Sequence, residues 1–232
     1  MLDIGNAMDV IRLRHSVRQY LEKKIPPEVR AELDRCVQEV NRAGRLNVQV
    51  FYDEPGCFSS RMAHYGRFEH ADNYIALVGE KAPDLEERCG YWGEQLVLKA
   101  QAMGLNTCWV ALTRGKSNAA VKPGEREVIV ISLGYGKTQG SPRRSKTAAQ
   151  VSSPAEDAPA WFRRGVEAAL LAPTAVNQQR FRFTLSDGSV VTAGAGHFGS
   201  LLKVDLGIVK CHFELGAGRE NFRWAEETGA DA

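Results

Sequence analysis

One order of patterns occurs twice in this chain: helix, strand, strand, helix. In the first copy Ile25-Pro26-Pro27-Glu28 opens a helix running to about Val40, where Val29, Leu33, Cys36, Val37 and Val40 recur at steps of three and four. Gly44 ends that helix, and Leu46, Val48, Val50 and Tyr52 then alternate as in a half-buried strand. The apolar run over 73–79 suits a central strand. Residues 91–103 return to helical spacing, with Leu96, Val97, Ala100 and Met103 on the buried side and Gly104 as the stop. The second copy has a helix over 161–171, then strands over 181–185 and 190–193 about the Asp187-Gly188 turn. It closes with a glycine-bounded apolar helix over 207–218. Strand-like segments at 107–110 and 128–133 precede a stretch rich in Gly, Ser, Pro, Lys and Arg at 136–159, the natural linker. The pattern predicts an α+β protein with a first half over 1–150 and an abbreviated second half over 151–232. Residue identity between the copies is slight, so chance likeness of two α+β units is the alternative.

Charge and composition narrow the classes of function. The chain has 232 residues, 44% hydrophobic and 25% charged, enough for a substantial core. A formal charge of +2 gives no global field to attract nucleic acid, so any anion site must be local. The basic residues are not interleaved with aromatic platforms, which argues against nucleic-acid binding. Met1-Leu2-Asp3-Ile4 lacks the basic start of a signal peptide, and no apolar stretch approaches the roughly 18 residues of a span. No membrane association and a cytoplasmic location are the expectations. Cys36, Cys57, Cys89, Cys108 and Cys211 form no C-x-x-C pair and read as reduced packing thiols. Histidines 15, 64, 70, 197 and 212 show no ligand spacing, so no metal is expected.

Two segments carry the candidate chemistry. Asp9 to Arg14 reads as the end of a short N-terminal helix, and Arg14-His15-Ser16-Val17-Arg18 crowds two guanidinium groups, an imidazole and a hydroxyl into five residues. A planar guanidinium donates paired bonds to a phosphate, and residues four apart share a face if the helix continues. A solvated basic helix end is the plain alternative. Downstream, Pro173-Thr174-Ala175-Val176-Asn177-Gln178-Gln179 stops a helix and offers amides that both donate and accept, suited to the polar edge of a planar ring. An ordinary C-terminal turn would look the same. A basic run, Ser141-Pro142-Arg143-Arg144-Ser145-Lys146, reads as a flexible loop able to fold over a phosphate, or as a plain linker. Gly104-Leu105-Asn106-Thr107-Cys108-Trp109 joins helix to strand, and the backbone beyond it, at Val110, Ala111 and Leu112, can present an N–H to a ligand. Trp109 reads as core.

Together these segments resemble the nitroreductase-like FMN oxidoreductases. Arg14-His15-Ser16-Val17-Arg18 matches an R-x-S-x-R opening, and residues 173–179 match P-S-x-x-N-x-Q with Thr174 in place of serine. Residues 104–109 match a G-L-G-T-C-W junction with Asn106 replacing a glycine, and Gly134-Tyr135-Gly136 with Arg143-Arg144 echo a G-Y-x…K-x-R tail. The resemblance implies a central, mostly antiparallel sheet flanked by helices. It also implies FMN held by Arg14, His15, Ser16, Arg18, Val110, Ala111, Leu112, Arg143, Arg144, Pro173, Thr174, Asn177 and Gln178. NAD(P)H would be a transient co-substrate, giving hydride through flavin N5 to a small-molecule electron acceptor such as a nitroaromatic or quinone. The sequence demands no protein acid or base. A flavin carrier or sensor, or a scaffold without flavin, are the rival functions.

One departure stands out. In the family the proline-asparagine motif follows soon after R-x-S-x-R, but here that position holds Asn41-Arg42-Ala43-Gly44-Arg45. Family members are intertwined homodimers in which this motif reaches flavin from the partner. The chain resembles a branch with the partner's contribution fused on, which implies two pseudo-symmetric halves, one FMN per chain, and a monomer or weak homodimer.

Overall fold

A computed structural model describes residues 1–154, 157–195 and 200–226. In chain order it has α1 (Ala7–Leu13), α2 (Pro27–Gly44), β1 (Gln49–Phe51), α3 (Arg61–Tyr65), β2 (Asn73–Glu80), α4 (Leu85–Ala102), β3 (Asn106–Val110) and β4 (Glu125–Gly134). There follow α5 (Ala148–Val151), β5 (Ser152–Ser153), α6 (Ala160–Leu170), β6 (Phe181–Ser186), β7 (Val190–Ala195), α7 (Ser200–Ala217) and β8 (Arg223–Trp224). The residues group into two compact units. The first comprises Met1–Gly5, Leu13–Leu85 and Trp92–Pro142, and the second Asn6–Arg12, Glu86–Tyr91 and the chain from Arg143 onward.

The first unit holds a four-stranded sheet of order β1-β2-β4-β3, antiparallel throughout. Its central strand is the apolar run at 73–79, buried along both faces except at Glu80, as such a run requires. One face packs on Val17, Tyr20, Phe58, Phe68, Tyr74, Cys108 and Val110. Helix α2 starts at Pro27, where a missing N–H costs nothing, and buries Leu33, Cys36, Val37 and Val40 on one stripe. Gly44 is itself helical, and Arg45 takes the left-handed turn at φ 49°. The glycine answers a different need: a Cβ there would stand 2.6 Å from the Trp92 indole.

The second unit holds a sheet of order β5-β6-β7-β8, with β6 and β7 antiparallel and the two outer strands parallel to their neighbours. The expected mixed α+β architecture with antiparallel sheet and helices is present, and among the described residues the strands form two four-stranded sheets. Phe162, Phe183, Phe213, Phe222 and Trp224 pile against α6 and α7, with the Phe183 and Phe213 rings stacked at 4.5 Å. The first turns of α4 cross α7 at two glycines. A Cβ at Gly207 would fall 1.9 Å from the Glu87 carbonyl oxygen, and one at Gly90 2.1 Å from that of Val204.

In the places of the two expected copies stand α2, β1, α3, β2, α4 and α6, β6, β7, α7, so α3 interrupts the order in the first. The pairing differs, because β2 meets antiparallel β4 on its far side whereas β7 meets parallel β8. The stretch at 136–159 is only in part a linker, since it contains α5 and β5 with Val151 and Ser152 buried; its residues 155 and 156 lie outside the described residues. The helix expected from Gly207 begins at Ser200. All of the cysteines are free and buried. Among the described residues no helix is long and apolar enough to cross a membrane, and no cluster of His, Cys, Asp and Glu could hold a metal ion. His197 lies outside the described residues.

Candidate functional site

Helix α1 ends at Leu13, so Arg14 to Arg18 lies beyond it and the helical form of the shared-face argument does not apply. Instead the segment lies along the end of β3. The Val17 N–H donates to the Thr107 carbonyl at 2.9 Å, and Ser16 bridges to Thr107. The G-Y-G tail lies against the same segment. Leu21 N–H donates to Tyr135 O at 2.8 Å, Lys137 N–H to Gln19 O at 2.9 Å, and Gly136 N–H to the Asn106 Oδ1 at 2.9 Å. Gly140, at φ +80°, comes so close that a Cβ would sit 2.4 Å from that of His15. The R-x-S-x-R segment, the 104–109 junction and the Gly134-Tyr135-Gly136 part of the tail therefore meet in the first unit.

The two arginines differ in burial although both act on Cys108. Arg14 is 1% exposed, and its Nε and Nη2 have no hydrogen-bond partner. Burial pushes its pKa down from the ordinary arginine value, opposed by the negative potential of Glu94 and Cys108. Ser16 and Arg18 are exposed, and the Arg18 guanidinium lies 5.9 Å from the Phe68 ring centroid. His15 turns its Nδ1 to the Leu13 carbonyl at 3.0 Å. Burial also raises the Cys108 thiol, opposed by Arg18, Arg14 and Ser16. Trp109 is bound through its indole N–H to Glu94 at 2.8 Å, a core role. Beyond β3 the chain leaves the sheet: Val110 is buried, Ala111 half-buried, and Leu112 is exposed.

The fourth motif folds in the second unit. Pro173 is buried at the end of α6, and a short 3-10 turn spans Ala175–Asn177. Val176, Asn177 and Gln179 all have positive φ, at 45°, 55° and 46°, which is strained for a β-branched valine. Thr174 Oγ1 accepts the Gln179 N–H at 3.1 Å. The Asp205 carboxylate, from α7, accepts the Ala175 N–H at 3.0 and 3.1 Å and the Gln178 amide at 3.0 Å. Burial raises the Asp205 pKa, and the bonds from Gln178 and Ala175 hold it down. Asn177 is exposed and donates its amide to the Arg144 carbonyl at 2.8 Å.

The basic run is stitched to this turn. Arg143 donates to the Leu171 carbonyl and Ser145 to that of Leu170, both at the C-terminal end of α6, where carbonyls lack helical partners. Lys146 binds Gln179 twice, through its N–H to Oε1 and its Nζ to the carbonyl oxygen, each at 2.7 Å. The expectation of a loose basic loop thus gives way to a tied one. Arg143 is engaged as a helix cap, while the Arg144 side chain is exposed. Sequence reasoning missed Asp205, and named Lys146 and Gln179 only as members of their segments. The one local sign was an aspartate inside the apolar run of α7, Leu201-Leu202-Lys203-Val204-Asp205-Leu206.

Leaving buried donors unpaired is costly, so the Arg14 guanidinium, with Nε and Nη2 unpartnered next to exposed Ser16 and Arg18, fits a phosphate. In the first unit the residues present suit a phosphate such as that of FMN; in the second, the amides of Asn177 and Gln178 suit the polar edge of a planar ring.

A model of the family described as "Putative TM nitroreductase" matches residues 6–217. No curated protein matches the chain. Among solved structures, a Thermotoga maritima protein described as a "putative nitroreductase" aligns with TM-score 0.67 at 26% identity, over 95% of this chain and 87% of that one. A Clostridium acetobutylicum protein described as a "Putative NADH Oxidase" aligns with TM-score 0.49 at 21% identity, over 63% of this chain and 99% of that one. A Desulfovibrio desulfuricans protein described as a "putative nitroreductase in complex with fmn" aligns with TM-score 0.48 at 19% identity, over 63% of this chain and 95% of that one. With the family match running from α1 to the end of α7, this chain belongs to the TM nitroreductase family.

Proposed function

We propose that this protein is an FMN-dependent oxidoreductase that passes hydride equivalents from NAD(P)H to a small-molecule acceptor, such as a nitroaromatic or a quinone. The observation that carries this reading is Arg14, buried with unpartnered Nε and Nη2 beside exposed Ser16 and Arg18. Membership of the family supports it. The chemistry that FMN supplies when bound is hydride acceptance at N5 and its return to a second substrate.

The protein's share is binding and orientation. Arg14, Ser16 and Arg18, with His15, would take the phosphate. Asn177 and Gln178, on the turn shaped by Pro173 and Thr174, would hydrogen-bond the pyrimidine edge of the ring. Val110, Ala111 and Leu112 would supply the backbone N–H facing N5. Arg144 would add positive charge, with Arg143 holding its loop in place. In this reading the chain is a fused form of the family dimer, acting as a monomer or weak homodimer in the cytoplasm.

The test is the visible absorption spectrum of the purified full chain mixed with FMN, followed by NADH and NADPH titration under nitrogen. The reading expects a perturbed, retained flavin spectrum that bleaches on reduction. Retained flavin with no turnover would instead indicate a carrier or sensor. Failure of the folded protein to take up FMN would leave only a scaffold.

A further inference from the structure

Two amides of the 173–179 turn, those of Asn177 and Gln178, are bound on one side only. Gln178 gives its Nε2 to the Asp205 carboxylate at 3.0 Å, and Asn177 gives its Nδ2 to the Arg144 carbonyl at 2.8 Å. Both partners are pure acceptors, so each amide is held with its nitrogen inward. Among the described residues nothing engages Gln178 Oε1 or Asn177 Oδ1, whereas both ends of the Gln179 amide are used. The turn therefore offers carbonyl-type oxygens to a ligand and selects for a ligand that donates. Asp205 fixes this polarity, since the same carboxylate also clamps the Ala175 N–H immediately before the strained Val176.

We propose that Asp205 is a positioning residue that sets the hydrogen-bonding polarity of the turn, orienting Gln178 to accept the imide N3–H of the flavin ring. The proposal rests on the flavin-binding reading above and adds a determinant of ligand choice to it. Asp205 is 7% exposed and both of its oxygens are used inside the protein, so it acts through Gln178 and the turn backbone.

The experiment measures dissociation constants of FMN, riboflavin and N3-methylriboflavin for the wild type, Asp205→Ala and Asp205→Asn, with circular dichroism to confirm folding. The wild type is expected to bind N3-methylriboflavin about tenfold more weakly than riboflavin, the cost of one hydrogen bond lost. Asp205→Ala should weaken FMN and riboflavin by a common factor and bring the N3-methyl ratio close to one, because Gln178 is then free to turn. Asp205→Asn keeps an acceptor oxygen for Ala175 or Gln178 and should recover part of both affinity and discrimination; it also serves as the readout if Asp205→Ala does not fold. Unchanged discrimination in folded Asp205 variants, with or without a loss of affinity, would overturn the proposal. A wild type that binds neither FMN nor riboflavin would overturn the flavin reading itself, a result visible before any variant is made. As a separate check on that reading, Arg18→Ala should weaken FMN while leaving riboflavin unaffected.

Discussion

At the scale of single residues, Arg14 shows how a binding group can weaken the fold that carries it. Its guanidinium is enclosed with two nitrogens unsatisfied, and an unsatisfied buried donor costs about 1–3 kcal/mol. Methionine matches the length of its stem without the charge. Arg14→Met is therefore expected to stabilise the apoprotein by roughly 1–3 kcal/mol in urea denaturation, while FMN binds at least about tenfold more weakly. Opposite signs in the two measurements support an anion site. If Arg14→Met loses both stability and affinity, the guanidinium is a packing element and its phosphate role falls. The five-residue motif was legible in the sequence, but the division of labour within it was not. Positions four apart share a side in a helix and in an extended strand alike, so local spacing could not show that the fold encloses Arg14 and leaves Arg18 exposed.

At the scale of elements, the crossing of α4 and α7 is set by residues that have no side chain. A methyl group at Gly207 would overlap the Glu87 carbonyl oxygen and the Tyr91 backbone nitrogen, at 1.9 and 2.6 Å, and backbone cannot turn aside as a flexible side chain can. Gly207→Ala should cost about 3 kcal/mol or more in equilibrium unfolding, while Gly194→Ala, in open space, should cost far less. The same crossing buries Lys210, whose ammonium lies 2.6 Å from Glu87 Oε1 and 2.9 Å from Glu226 Oε1. Burial pulls its pKa down, but Glu87 and Glu226 outweigh it and the net shift is upward. The folded state thus keeps this proton more tightly than the unfolded chain does. The stabilisation is complete below the unfolded value of about 10.4 and is lost as pH rises through the folded value. Denaturation midpoints should fall at alkaline pH, and Lys210→Met should flatten that part of the profile. A variant with the wild-type alkaline slope would assign the slope to other groups.

At the scale of the whole molecule, the boundary between the units does not follow one cut in the sequence. It lies at Pro142–Arg143, and the second unit also takes Asn6–Arg12 and Glu86–Tyr91 from the first half of the chain. On the proposed reading of the chain as a fused form, it should bind one FMN per chain. Flavin released from the saturated, washed holoprotein and compared with protein from amino-acid analysis should give a ratio of one. A ratio of one half would contradict the fused reading.

What the sequence determined by itself is local. The stripes of α2 and α6, the apolar run of β2, the β6–β7 hairpin and the four motifs all follow from spacing within about ten residues. The tertiary structure decided which distant groups meet. Asp205 reaches Ala175 across 30 positions, Arg143 caps α6 across 28, and Lys210 finds Glu87 across 123. Periodicity records which side of an element is buried but not what lies opposite it. That is why an aspartate within an apolar helix and an arginine in a basic run gave no sign of their partners until the chain had folded.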